Sequence, residues 1–208
     1  MILYEHPSSG NCLKARVMLD QVGADYERVE LDLFSGETRT PEHFARNPDG
    51  RIPVLELDSG ESLAESDAIL LYLAEGTEYV PADRLARARA LAWMFFEQNQ
   101  VEANLGVARF LALSGRAESV PEVFADRRRR GRDALATLEC GLEGRPFLVG
   151  DAYTVADLAC YGYAHVADAG VRLAEFPAVS AWIARVAALP GFEEPLAPMP
   201  AHARDRTL

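Results

Sequence analysis

Asn47-Pro48-Asp49-Gly50-Arg51-Ile52-Pro53-Val54-Leu55 is the stretch that decides the fold. Asn-Pro-Asp-Gly is turn chemistry. Behind it, Val54-Leu55-Glu56-Leu57 reads as an interior strand. Proline cannot donate to a strand ladder and is normally confined to edges. A proline leading straight into an interior strand therefore marks a backbone position with a special geometry. A trans Pro53 opening an edge strand fits that interior reading poorly; the other reading is a cis Ile52-Pro53 bond, a form taken by only about 5–6% of X-Pro bonds that usually serves a structural purpose.

Working outward, Ile2-Leu3-Tyr4 reads as a short strand and His6-Pro7-Ser8-Ser9-Gly10 as a turn. Leu13, Val17, Met18 and Val22 fall at helical spacing from Asn11 to Val22, and Gly23 stops that helix. Tyr26 to Leu33 alternates as a strand. Residues 34–51 are loop-like, with a short helix at Pro41 to Arg46. Asp58-Ser59-Gly60-Glu61 turns the Ile52–Leu57 strand into a short fourth one, Ser62-Leu63, and a helix follows from Ser66 to Glu75. The order β-α-β-(α)-β-β-α within about 75 residues makes a small α/β domain, here 1–76.

Gly76-Thr77-Glu78-Tyr79-Val80-Pro81 reads as an interdomain linker, 77–82, and an all-α domain is expected over 83–208. A long helix spans Asp83 to Leu113 and breaks at Ser114-Gly115. The next runs from Val120 to Leu142, with Phe124, Gly131, Leu135, Leu138 and Leu142 on one stripe. Arg128 interrupts that stripe and is expected to pair with an acid across the domain or subunit boundary, because an unpaired buried charge is costly. Thr154 and Asp157 form a capping box that opens a third helix. A fourth follows Pro177 and stops before Pro190-Gly191.

The bulk composition excludes several classes. With 49% hydrophobic and 25% charged residues the 208-residue chain is an ordinary globular mix. The longest apolar run, Ala68 to Ala74, is far short of the ~20 residues a bilayer needs. The N-terminus carries no export signal, and three widely spaced cysteines (Cys12, Cys140, Cys160) suit a reducing compartment. The cytoplasm is the expected location, and no metal site is expected. Residues 1–80 hold 16 acidic and 6 basic side chains, a net of −10, within a total of −11. Such a surface repels phosphate backbones and anionic lipid, so neither nucleic acid nor membrane is an expected partner. Arg127 to Arg130 follow one another at about 100° steps round a helix and make no coherent patch.

Three motifs in this order and spacing carry a family resemblance. They are Ser9-Gly10-Asn11-Cys12-Leu13-Lys14, Asn47 to Leu55, and Leu63-Ala64-Glu65-Ser66-Asp67-Ala68-Ile69. Together they resemble the glutathione S-transferase superfamily, on the side of its serine-type and bacterial classes (theta, zeta and nu). The resemblance extends over essentially the whole chain, the Thr154/Asp157 box included. It implies a thioredoxin-like N-terminal domain, in which Pro53 is the cis proline, plus an all-α C-terminal domain. It further implies a cytosolic detoxifying transferase, a homodimer, with glutathione as cosubstrate and a small electrophile or disulfide as the second reactant.

Site residues follow motif by motif. Ser9 and Asn11 stand at the start of the first helix, where free N–H groups and the helix dipole favour an anion. A sulfur held there becomes a thiolate below the ~8.5 of a free cysteine; both residues are candidate catalytic donors, although Ser9 also reads as a plain N-cap. The resemblance assigns the backbone of Ile52 beside Pro53 to the peptide ligand, Glu65 to the γ-glutamyl ammonium and Ser66 to its carboxylate. Arg39 and Arg51 are candidates for the glycine carboxylate. Cys12 takes the second position of a thioredoxin Cys-x-x-Cys whose first position is serine, so it reads as a small hydrophobe. An electrophile pocket is expected between the domains, with Phe34, Phe96, Asn99, Asn104 and Arg109 as walls. Bacterial relatives tend to carry aromatics or histidine where Asn99, Val101 and Asn104 stand, which points to a wider or wetter pocket. The competing readings are a glutathione-dependent disulfide reductase or peroxidase, and a non-catalytic dimerisation or binding module.

Overall fold

The computed structural model describes residues 1–204. It divides into two compact units, one formed by Met1–Thr77 with the segment from Pro190, the other by Glu78–Leu189.

The first unit holds a four-stranded sheet in the order β2-β1-β3-β4, with β1 Ile2–Glu5, β2 Glu27–Glu30, β3 Val54–Glu56 and β4 Ser62–Ala64. β1 pairs parallel with β2 and antiparallel with β3; β3 pairs antiparallel with β4. Helices α1 (Gly10–Gln21), α2 (Pro41–Arg46) and α3 (Ser66–Ala74) complete it. Register puts Leu3 opposite Leu55 and Leu55 opposite Leu63, one row on one face. Leu3 and Leu55 are fully buried with Ala15 and Leu19 of α1 and Ile69 of α3, each large side chain contributing roughly 1.5–3 kcal/mol. The sheet is therefore the wall against which α1 and α3 lie together. β2 is shorter than the alternation over Tyr26–Leu33 predicts. Asp32 ends it, its Oδ1 accepting from the Phe34 and Ser35 amides at 2.8 and 3.2 Å.

In the second unit α4 (Arg84–Phe96), a π-helical stretch (Glu97–Gly106) and α5 (Val107–Leu113) follow the single long helix that was expected. The wide middle was not. Asn104 Nδ2 donates to the Gln100 carbonyl at 2.7 Å, a side-chain bond on a carbonyl of the helix ladder. α6 (Pro121–Leu142) packs closely on this stretch through Gly131, where a Cβ would stand 2.5 Å from Leu105 Cδ2. Within this unit Arg128 meets a backbone carbonyl rather than an acid. It is exposed, donates from Nε to the Gly170 carbonyl at 2.5 Å and lies over the Phe124 ring. α7 (Val155–Ala164) opens on the expected capping box, and Asp157 Oδ1 also accepts from Leu148 N and Trp182 Nε1, at 2.9 and 3.0 Å. α8 (Pro177–Ala187) closes this unit.

The segment from Pro190 departs from the expected helical domain over 83–208, whose residues 205–208 lie outside the described ones. It joins the sheet unit instead. Gln21 Nε2 donates to the Pro190 carbonyl at 2.9 Å and Ala197 N to that of Pro7 at 3.1 Å. Arg28, which also holds the fully buried Glu5, pairs with Glu194 at 2.7 Å. His202 meets Asp32 at 2.9 Å. Polar side chains on the strand ends thus supply partners that helix periodicity does not reveal.

Candidate active site

The turn between β1 and α1 is shaped by His6. Its Nδ1 accepts from the Ser8 amide at 3.2 Å and lies 2.8 Å from Ser8 Oγ, while Ser9 N donates to the His6 carbonyl at 3.0 Å. Burial lowers the His6 pKa against the pull of Asp32, Glu30 and Glu5, so the ring stays neutral and accepting. Ser9 is delivered to the N-cap of α1, where its Oγ accepts from Cys12 N at 3.3 Å. The capping role is thus real; it uses a lone pair and leaves the hydroxyl its proton.

Asn11, the second residue of α1, has its Oδ1 on the Ser66 hydroxyl at 3.2 Å. A second link between the same helices lies beneath it: Lys14, with no exposed surface, pairs with Asp67 at 3.4 Å. The N-termini of α1 and α3 are thereby fixed beside one another, two dipole ends aimed into one region. Ser66 is buried. Glu65, just before it, is exposed and stands at φ 70°, ψ 115°, the one non-glycine among the described residues with positive φ. Such strain occurs chiefly at functional positions.

The Ile52-Pro53 bond is cis, as the resemblance implies. The residue before it is held by two side chains: His43 Nε2 lies 3.0 Å from the Arg51 carbonyl, and Asn47 Nδ2 donates to that oxygen at 3.0 Å. Arg51 itself is exposed and pairs with Asp49 at 2.7 Å. Arg39, also exposed, donates to the Asp49 carbonyl at 3.0 Å and lies over Phe44. Both guanidinium groups converge on the Asp49-Gly50 turn.

Cys12 is fully buried, and burial pushes its thiol up to about 12 despite hydrogen bonding to Ser9 and His6. It cannot supply a thiolate near neutral pH. Among the described residues no His, Cys, Asp and Glu cluster fits a metal ion.

The expected wall residues occupy different settings. Phe34 lies edge-on to His6 at 5.8 Å and to His202 at 6.0 Å. Phe96 packs edge-on to Trp93 at 5.4 Å, and Asn99 is exposed beside Gln100. Asn104 is buried and bonded within the bundle, accepting from Arg127 at 3.2 Å. Arg109 is buried, and desolvation lowers its pKa against the Tyr163 phenol. His6, His43, Lys14 and Asp67 were not foreseen as supports. The signal for Asn47 was its place at the head of the Asn-Pro-Asp-Gly turn, with His43 four residues before it.

A sheet with a cis-proline strand, two helix N-termini meeting beside it and an all-helical second unit define a glutathione transferase. The sequence matches the glutathione S-transferase N-terminal domain over residues 1–75 and its C-terminal domain over 102–190, and the chain belongs to that family. Maleylacetoacetate isomerase of Rhizobium meliloti is 37% identical over 166 residues, 76% of each chain. Disulfide-bond oxidoreductase YfcG of Escherichia coli is 30% identical over 196 residues, 90% of each. A glutathione S-transferase structure from Xanthobacter autotrophicus superposes with TM-score 0.90 at 44% identity, over 95% of this chain and 97% of that one. A glutathione transferase from Burkholderia graminis, with two glutathione molecules bound per subunit, superposes with TM-score 0.81 at 28% identity over 92% and 85%. Among the described residues no helix is long and apolar enough to cross a membrane.

Proposed function

We propose that the chain binds glutathione in its N-terminal unit and activates the sulfur for attack on a small electrophile. The observation that supports this is the Asn11–Ser66 contact, which brings together two helix starts, each favourable to an anion. In this reading Glu65 takes the γ-glutamyl ammonium, and Ser66 with the α3 amides takes the α-carboxylate. The Ile52 backbone pairs with the cysteinyl residue, and Arg51 or Arg39 meets the glycine carboxylate. The polar, oppositely charged donor set suits that tripeptide end to end. Ser9 donates to the thiolate with Asn11 as second donor, and Phe34 offers apolar surface beside the Ser8-Ser9 turn.

The second reading is disulfide reduction with glutathione supplying both thiols. Two observations support it: the YfcG relative, and the inert Cys12. Isothermal calorimetry with glutathione tests the shared premise; no heat at millimolar ligand would remove it. Parallel assays with glutathione plus a chlorinated aromatic, and glutathione plus a mixed disulfide, separate the readings. Maleylacetoacetate makes a third arm on the strength of the isomerase relative. We also propose a homodimer, supported by Leu85 and Phe95, which stand exposed on α4.

A further inference from the structure

α6 and the loop that follows α7 line a cleft of about 340 Å³. Its size lies in the range of small-molecule sites. Four guanidinium groups line it, from Arg128, Arg129 and Arg132 of α6 and Arg172 beyond α7, with the carboxylate of Glu175 among them and those of Asp126 and Asp133 on Arg129. This is an unusual concentration of positive charge in a chain of net charge −11. The four-arginine run does wrap the helix, as its spacing predicts: Arg127 turns away to the Ala103 carbonyl and Asn104. The patch arises from a different set, spaced one, three and four residues apart and completed by a fourth arginine 40 residues further on.

Three of these groups are oriented before any ligand arrives. Arg128 is fixed by the Gly170 carbonyl and the Phe124 ring. Arg132 is fixed by Glu175 and by the Phe176 ring at 5.5 Å. Arg129 is braced by Asp126 at 2.7 Å and Asp133 at 3.4 Å. Arg172 is exposed and has no ion-pair partner among the described residues. Like charges gathered in one cleft repel, and pre-oriented planar forks recognise phosphate and carboxylate oxygens in pairs.

We propose that this cleft is a binding site for a small multivalent anion carrying two or more phosphate or carboxylate groups. Arg172 and Arg129 grip it, and Arg128 and Arg132 supply the floor of charge. A duplex is too large for the cleft and is repelled by the rest of the surface.

The test is calorimetry on the full chain with inorganic pyrophosphate and, separately, citrate, with sodium chloride at matched ionic strength as control. Saturable one-to-one binding is expected for at least one anion, and whichever binds more tightly identifies the phosphate or the carboxylate class. Arg172→Ala and Arg129→Ala should each weaken it about tenfold, as loss of a charge-assisted contact does, with glutathione binding unchanged. Heats that sodium chloride reproduces, or an Arg172→Ala affinity within twofold of wild type, would overturn the proposal.

Discussion

Ser66 Oγ donates to Asn11 Oδ1 at 3.2 Å, joining the starts of two helices across 55 residues of sequence. The contact sets a direction for each group. With Oδ1 on Ser66, the donor end of the Asn11 amide is Nδ2. A ligand carboxylate arriving at α3 competes for the Ser66 proton and so perturbs Asn11 at the sulfur end. Ser66→Ala is therefore expected to weaken glutathione binding and also to shift the pKa of the bound thiol, measured together by thiolate absorbance during titration. A change in affinity with no spectral shift would show that the two ends act independently.

Ser9→Ala should raise the pKa of bound glutathione and slow conjugation at neutral pH about 10- to 100-fold, with affinity nearly unchanged. The α1 dipole alone gives only about 0.3–1 kcal/mol, whereas a charge-assisted hydrogen bond gives roughly 1.5–3 kcal/mol, one or two pKa units. Cys12→Ala should cost a little packing and no activity, since its thiol is buried and held near 12. Thiolate absorbance against pH for the three variants Ser9→Ala, Asn11→Ala and Cys12→Ala decides the matter. A shift confined to Asn11→Ala would reduce Ser9 to a cap.

Glu65 separates binding from stability. Its carboxylate is exposed while its backbone sits at φ 70°. Glu65→Ala keeps the strain and should weaken glutathione binding by about 1.5–3 kcal/mol, the worth of a hydrogen bond to a charged group. Glu65→Gly should bind as poorly yet melt no lower than wild type, because glycine carries no Cβ into the strained region. Calorimetry and thermal melts of both variants are the measurement. A Gly variant that melts well below Glu65→Ala would show that the backbone there is not strained.

The fold was legible because its signals are local: short apolar strands at Leu3 and Leu55, helical spacing at Leu13 and Val17, and a capping box at Thr154. Ser9, Asn11 and Ser66 were legible only as an ordered set, since each alone is an ordinary cap or turn residue. What stayed hidden depends on tertiary partners. Lys14 reads as a surface residue until Asp67 is brought to it across α1 and α3. The π-helical stretch depends on Asn104 reaching the Gln100 carbonyl, a choice periodicity does not encode. The segment from Pro190 carries no repeat at all; Arg28, Pro7 and Asp32 fix it to the sheet unit.

Phe95 is 72% exposed and Leu85 58%, both on α4, a costly display for a helix that stays in water. If the proposed homodimer covers this face, Phe95→Asp should convert it to monomer in light scattering at micromolar concentration. Glutathione binding, proposed to lie in the N-terminal unit, should remain. A variant that scatters like wild type would move the interface elsewhere, and a wild-type monomer would remove the dimer itself.

His165 should give the helical unit an acid-sensitive stability. Its ring stacks on Tyr161, centroids 4.3 Å apart and planes 3° from parallel, and its Nδ1 lies 2.7 Å from the Tyr161 carbonyl. Burial drives its pKa down to about 4, opposed by that carbonyl and assisted by Arg109. The unfolded chain titrates near 6.5. Above 6.5 both states are neutral and the contribution is fully present. Between 6.5 and 4 the unfolded chain takes up a proton that the folded ring refuses, so stability falls as pH falls. Below 4 both are charged and the loss levels off. Allowing for the ring's partial exposure, the span is about 2 kcal/mol. His165→Phe keeps the stack and removes the proton, at about 1 kcal/mol for the lost hydrogen bond. The variant should therefore be less stable than wild type at pH 7.5 and at least as stable at pH 4.5, read from urea midpoints. Parallel losses in both proteins between those pH values would place the acid sensitivity in other groups.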